Sequence, residues 1–229
     1  MKHIASITTL TLVAAAGFAD AAAPAAPASA WSQSANLALT SNYVWRGVSQ
    51  NSNSIAIQGG FDVAHTSGLS AGVWASSLSS GTEVDLYANY GFKVASVDLS
   101  VGYIAYTYQS AVSTGFSEVN VAATYAGVTA KVSKEVANAK DGAGYTDHGY
   151  YYELGYTYSI PAVKGLDLGL HYGWADSNRN TAETGTDYSV SLTYPVAGFS
   201  ASVAYSNGGT DNLGNDISDL YSLTLKKSF

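Results

Sequence analysis

From Ala35 to the C-terminus of this 229-residue chain, apolar and polar side chains alternate with a period of two, and the alternation restarts again and again after short breaks. Period two places successive side chains on opposite faces of a strand, so the chain is read as all-β. In the first segment Leu37, Leu39, Tyr43 and Trp45 face one way, and Asn36, Thr40, Asn42 and Arg46 face the other. Twelve such segments are predicted, near 35–46, 54–65, 69–78, 82–92, 96–107, 116–125, 128–136, 150–158, 166–175, 187–194, 199–206 and 220–229. Their connections alternate in length. Thr66-Ser67-Gly68, Lys93-Val94-Ala95, Ala126-Gly127, Ser159 to Gly165 and Pro195 to Gly198 are short, whereas Lys140 to Gly149, Asp176 to Thr186 and Asn207 to Asp219 are long. An even strand number with loops sorted by length points to a transmembrane antiparallel up-and-down β-barrel of about twelve strands, with short periplasmic turns and longer extracellular loops.

Alternation does not say which face is outside, because a lipocalin-like barrel turns its apolar face inward and an outer-membrane barrel turns it to lipid. Three features decide for lipid. Apolar-face aromatics gather at the segment ends, with Tyr43, Trp45, Tyr152, Tyr172 and Trp174 toward the long loops and Tyr158, Tyr194 and Phe199 toward the short turns. Two such rings are expected to form girdles at headgroup depth. The polar face is rich in Gly, Ser, Thr and acids, which cannot pack a dry core. Finally, Tyr221, Leu223, Leu225 and Phe229 alternate to the last residue, a pattern that resembles the recognition signal of outer-membrane assembly. Hydrocarbon offers backbone groups no partners, so the sheet must close.

The first thirty residues form a separate unit. Lys2, then an apolar run from Ile4 to Ala16, then small residues read as a signal peptide over 1–30, with cleavage after Ala21 or after Ala30, and the barrel occupies 31–229. Beyond residue 30 no apolar run approaches the roughly 20 residues that a spanning helix needs. The expected location is the outer membrane of a Gram-negative cell.

SNYVWRGVSQ (41–50), Ile57-Gln58-Gly59-Gly60-Phe61-Asp62, His65 with Ser67-Gly68, Ala71-Gly72-Val73-Trp74-Ala75-Ser76 and Glu83-Val84-Asp85-Leu86-Tyr87 resemble, as an ordered set, the TorF family of outer-membrane porins, also called the Gcw_chp family. The later part of the chain resembles that family mainly in strand rhythm. The resemblance implies a porin-like barrel and no catalytic residue.

Charge is scarce, at 12% of residues, and the net charge of -7 argues against a nucleic-acid partner. Projected by alternation, the lumen receives Arg46, Asp62, Glu83, Asp85, Asp98, Glu118, Lys131, Glu135, Glu153, Asp167, His171 and Lys226. Carboxylates prevail there, so a narrow aqueous path would favour cations or neutral polar solutes. The competing reading has these groups pairing across a plugged lumen. Arg46 is expected to meet Glu83 and Asp85, where it either sets a constriction or neutralises their charge. Trp74, inward among small residues, is a stacking platform or a space filler. Enzymatic signals are weak: His65 lies by a turn, His148 in a loop, and His171 in the lumen without a serine motif. No cofactor is expected, HExxH is absent, and the stretch 211–216 lacks the full calcium-loop pattern. The expected partners are outer-membrane lipid and lipopolysaccharide, the barrel-assembly machinery and small polar solutes. The acidic loop residues Asp141, Asp147, Asp176, Glu183, Asp211, Asp216 and Asp219 form either a solvated rim or a site for lipopolysaccharide-bridging cations.

Overall fold

The computed structural model describes residues 29–109, 115–138, 149–176, 185–208 and 219–229. Its strands, in chain order, are β1 (Trp31–Thr40), β2 (Val44–Trp45), β3 (Val48–Ser49), β4 (Ala56–His65), β5 (Leu69–Ser77), β6 (Thr82–Val94) and β7 (Val97–Gln109). They continue with β8 (Phe116–Tyr125), β9 (Val128–Asn138), β10 (Tyr150–Ser159), β11 (Asp167–Asp176), β12 (Thr186–Val196), β13 (Phe199–Asn207) and β14 (Leu220–Ser228). All but β2 and β3 join in one closed antiparallel barrel, each strand beside its neighbour in sequence, and β14 returns to β1. The twelve predicted segments correspond to these twelve strands. The first shows a real departure: β1 begins at Trp31 and stops at Thr40, and the residues beyond Thr40 leave the wall.

The short connections are built as tight hairpins. Tyr125 pairs with Val128 across Ala126-Gly127, and Val196 with Phe199 across Ala197-Gly198. All four turn residues have positive φ, the backbone of a two-residue turn whose twist matches that of the strands it joins.

Burial is inverted relative to a water-soluble domain. Among the described residues, seven hydrophobic side chains are buried against fifteen polar or charged ones. Leu37, Leu39, Ile57, Leu86, Val121, Leu154, Leu192, Val203 and Leu223 are all exposed on the outer wall. That excludes an inward apolar face of the lipocalin kind. A contiguous apolar belt around a barrel suits hydrocarbon, not water.

The closing seam is short. β1 pairs with β4 over all ten of its residues but with β14 only from Asn36 to Thr40. Beyond that ladder, Ala35 and Phe229 exchange two backbone hydrogen bonds of 3.2 and 2.9 Å. At the other end the Thr224 hydroxyl donates to Thr40 Oγ1 at 2.8 Å.

Candidate functional site

The chain leaving Thr40 doubles back on itself before β4 starts. Val44 pairs with Ser49 and Trp45 with Val48, so Arg46-Gly47 is a two-residue turn at the tip of a miniature hairpin. Both residues have positive φ, 45° and 76°. That is the geometry of the barrel's own tight turns, with arginine in the place of alanine, and it costs about 1 kcal/mol or more at a non-glycine residue. The stem compensates with side-chain hydrogen bonds. Asn51 Oδ1 accepts from the Tyr43 amide at 3.0 Å, Ser49 donates to Asn42 Oδ1 at 2.7 Å, and Asn42 Nδ2 donates to Asn53 at 2.8 Å. Asn51 also donates to the Ser54 carbonyl.

This hairpin folds into the lumen. Its Arg46 guanidinium donates through both terminal nitrogens to the two carboxylate oxygens of Glu118 on β8, each at 2.8 Å. It lies between the rings of Trp45 and Tyr151, 4.3 and 4.0 Å from their centroids. Burial acts to lower the guanidinium pKa, but the Glu118 carboxylate outweighs it, so the pKa rises and the charge is held. At Gly47 an added Cβ would stand 2.5 Å from Gly208 Cα and 2.8 Å from Asp187 Cβ, so the tip can sit against β12 only without a side chain. Trp45 meets Tyr106 and Phe116, and Tyr43 meets Trp74 edge-on at 5.4 Å. The hairpin therefore reaches strands on several sides of the barrel.

Two expectations are corrected here. Tyr43 and Trp45 do not stand in an outer aromatic ring: Tyr43 is 3% exposed and both belong to the inserted hairpin. The reason is that the strand ends at Thr40, so alternation beyond it no longer refers to the barrel wall. Arg46 pairs with Glu118, not with Glu83 and Asp85, because the turn carries it across the lumen from the β1–β4 wall to β8.

The other lumen candidates fall into separate groups. Lys131 and Glu153, direct register partners on β9 and β10, form an ion pair of 3.1 Å. Asp62 accepts from the Tyr87 hydroxyl at 2.6 Å. Trp74 and Asp85 face each other across β5 and β6, and both point inward. His171 Nε2 lies 2.9 Å from Asp187 Oδ1, while the Tyr151 hydroxyl donates to Asp187 Oδ2 at 2.7 Å. Gly173 makes this cluster possible, since a Cβ there would lie 1.9 Å from the Tyr151 hydroxyl. Asp187, Tyr151, Tyr106 and Tyr108 were not foreseen as lumen groups. For the tyrosines the signal was present: each shares parity with an inward residue already identified on its strand, such as Glu153 beside Tyr151.

Below the hairpin lies a polar cavity whose walls include Tyr87, Asn89, Asn120, Thr124, Thr129 and Lys131, with Tyr106 and Glu118 at its top. On the outside, Tyr172 and Trp174 are exposed near the long-loop end, where Trp174 stacks on Tyr152 at 5.2 Å. Tyr158, Tyr194 and Phe199 are exposed near the short turns. Tyr221, Leu223 and Leu225 face outward on β14, and Phe229 ends the chain at the seam. His65 Nδ1 lies 2.8 Å from Ser67 Oγ at a turn. Among the described residues no group of three or more His, Cys, Asp or Glu could hold a metal ion. Residues 1–28, His148, the stretch 211–216 and the loop acids other than Asp176 and Asp219 lie outside the described residues.

A family model described as "Bacterial protein of unknown function (Gcw_chp)" matches residues 24–226. No curated protein matches the sequence. Among solved structures, the KdgM porin superposes with a TM-score of 0.54 at 11% identity, over 86% of this chain and 99% of that one. It has also been solved in complex with disordered oligogalacturonate. The NanC porin gives 0.54 at 12% identity, over 85% and 98%. The outer membrane phospholipase A of Escherichia coli gives 0.48 at 14% identity, over 85% and 91%. At these identities the likeness is one of fold.

Proposed function

The chain belongs to the Gcw_chp family, and from that premise we propose that it is an outer-membrane channel through which small polar solutes diffuse passively, without cofactor or catalysis. The observation that carries this reading is a polar, partly hollow lumen inside a wall whose outer face is apolar. Twelve strands about 4.8 Å apart and tilted about 40° give a backbone radius of roughly 12 Å. Inward side chains reduce that to a narrow path, and the hairpin tipped by Arg46 forms its constriction. The porin folds of KdgM and NanC, which share nearly the full length of this barrel, support the reading.

The lumen differs in charge from what a polyanion such as the oligogalacturonate of the KdgM complex would require. Asp62, Glu83, Asp85, Glu118, Glu135, Glu153 and Asp187 face inward against Arg46, Lys131 and Lys226. Cations and neutral polar solutes are therefore the preferred permeants. Residues 1–30 would direct export, the outward aromatics would anchor the barrel in lipid and lipopolysaccharide, and Tyr221, Leu223, Leu225 and Phe229 would present the final strand to the barrel-assembly machinery.

A second reading is a closed barrel with a structural or surface-interaction role, and the many-sided fit of the hairpin favours it. Planar-bilayer recording of the refolded protein separates the two. Discrete single-channel steps, with a reversal potential displaced toward the cation in a salt gradient, are expected. Silent bilayers with verified insertion would establish the closed barrel instead.

A further inference from the structure

Glu83 and Asp85 stand two residues apart on one face of β6, so their carboxylates project side by side into the lumen at the level of the hairpin. Their residues are 2% and 5% exposed, yet Glu83 Oε2 and Asp85 Oδ1 have no hydrogen-bond partner. Among the described residues neither has a basic side chain within ion-pair distance. The Arg46 guanidinium is turned to Glu118, and Lys131 to Glu153. Glu83 Oε1, the oxygen on the other side, has the Tyr108 hydroxyl at 3.5 Å. Buried carboxylates are ordinarily paired or metal-bound, since an unpaired one costs several kcal/mol. Two of them adjacent to one another on β6 compound that cost. A positive charge held between them removes it.

The surroundings narrow what that charge is. The register neighbours are Ser76 and Trp74 on β5 and Tyr108 and Tyr106 on β7, and Tyr43 of the hairpin meets Trp74 edge-on. These supply neutral oxygens and ring faces and no rival cation. Water does not reach either orphan oxygen, so an ion held between them sheds most of its own hydration. Calcium and magnesium ordinarily complete their coordination with waters, and water does not reach these oxygens. We propose that Glu83 and Asp85 form a binding site for one bare monovalent cation of sodium's size, beside the inserted hairpin. The proposal deepens the channel reading, on which it rests only for the route by which the ion arrives from the lumen.

Thermal unfolding of the refolded barrel in zwitterionic detergent, at fixed pH and ionic strength with NaCl replacing choline chloride, tests it. Sodium is expected to raise the apparent Tm saturably, by roughly 3–6 °C at ten times its dissociation constant. The E83Q/D85N variant should lose that dependence and match the wild type in neither salt, being stabilised in choline. If the double variant does not refold, D85N alone should halve or abolish the sodium shift. Equal Tm values for the wild type in both salts overturn the site, as does stabilisation by CaCl2 but not NaCl at matched ionic strength. A sodium-dependent Tm in a barrel that carries no current would leave the site standing and overturn the channel.

Discussion

The two halves of the lumen are made by the same strands under the same alternation, yet they are different places. Toward the long loops, charged groups and aromatic rings pack around an inserted hairpin: Arg46 on Glu118, Tyr43 on Trp74, Tyr151 on Asp187. Toward the short turns, the inward positions carry mainly neutral groups, Asn89, Ser100, Gly102, Asn120, Thr124 and Thr129, with Asp62, Lys131 and Lys226 dispersed among them, around open space. The first half is held by contacts between residues far apart in sequence, such as Arg46 and Glu118. The second is held by neighbours across one ladder, such as Thr124 and Thr129 with their hydroxyls 2.8 Å apart. Selectivity and stability should therefore respond to substitution mainly in the upper half.

The most drastic way to erase the difference is to replace residues 41–55 with a two-residue Asn-Gly turn. Single-channel conductance should rise severalfold and ion selectivity should fall, because the constriction goes with the hairpin. An unchanged conductance would show that the hairpin does not set the path. Next in size, R46A strips the guanidinium from a Glu118 that is 5% exposed at its side chain, leaving a buried charge without its partner. The expected loss is about 3–5 kcal/mol in urea unfolding from vesicles, with E118Q restoring part of it in the double variant. G47V tests the tip alone. A branched side chain at positive φ, with Asp187 and Gly208 inside contact distance, should weaken the hairpin by about 2 kcal/mol or more and raise conductance partway toward that of the deletion. Smaller again, Y151F removes one hydrogen bond to Asp187 and should cost about 1 kcal/mol. At the bottom of the scale T129A, in the open half, should change the unfolding free energy by roughly 0.5 kcal/mol or less and leave conductance at the wild-type value. A T129A effect as large as that of R46A would dissolve the contrast.

The same contrast governs what could be read from the sequence. A period of two is a local property, so all twelve wall strands are legible, as are the Ala-Gly turns and the outward placement of Leu, Val and Ile. Parity also gives the inward side of Asp62, Glu83, Asp85, Glu118, Lys131 and Glu153. It fails at Thr40, where the chain leaves the wall while Tyr43 and Trp45 continue to alternate with polar neighbours. Four asparagine and serine side chains, Asn42, Ser49, Asn51 and Asn53, mark the inserted stem, but they signal a turn without saying into which space it folds. The partner of Arg46 could not be read at all, because it depends on how far a turn reaches across a cylinder whose radius no local pattern records.

The seam between β1 and β14 has half the ladder that β1 shares with β4, and the last residue of the chain completes it by exchanging two hydrogen bonds with Ala35. Every other junction in the wall is tied on one side by a covalent loop, so this is the one place where the cylinder can come undone without breaking the chain. Five register pairs and two further hydrogen bonds thus hold shut the whole circumference, and loosening Phe229 from Ala35 would start to open a wall that every other strand keeps closed.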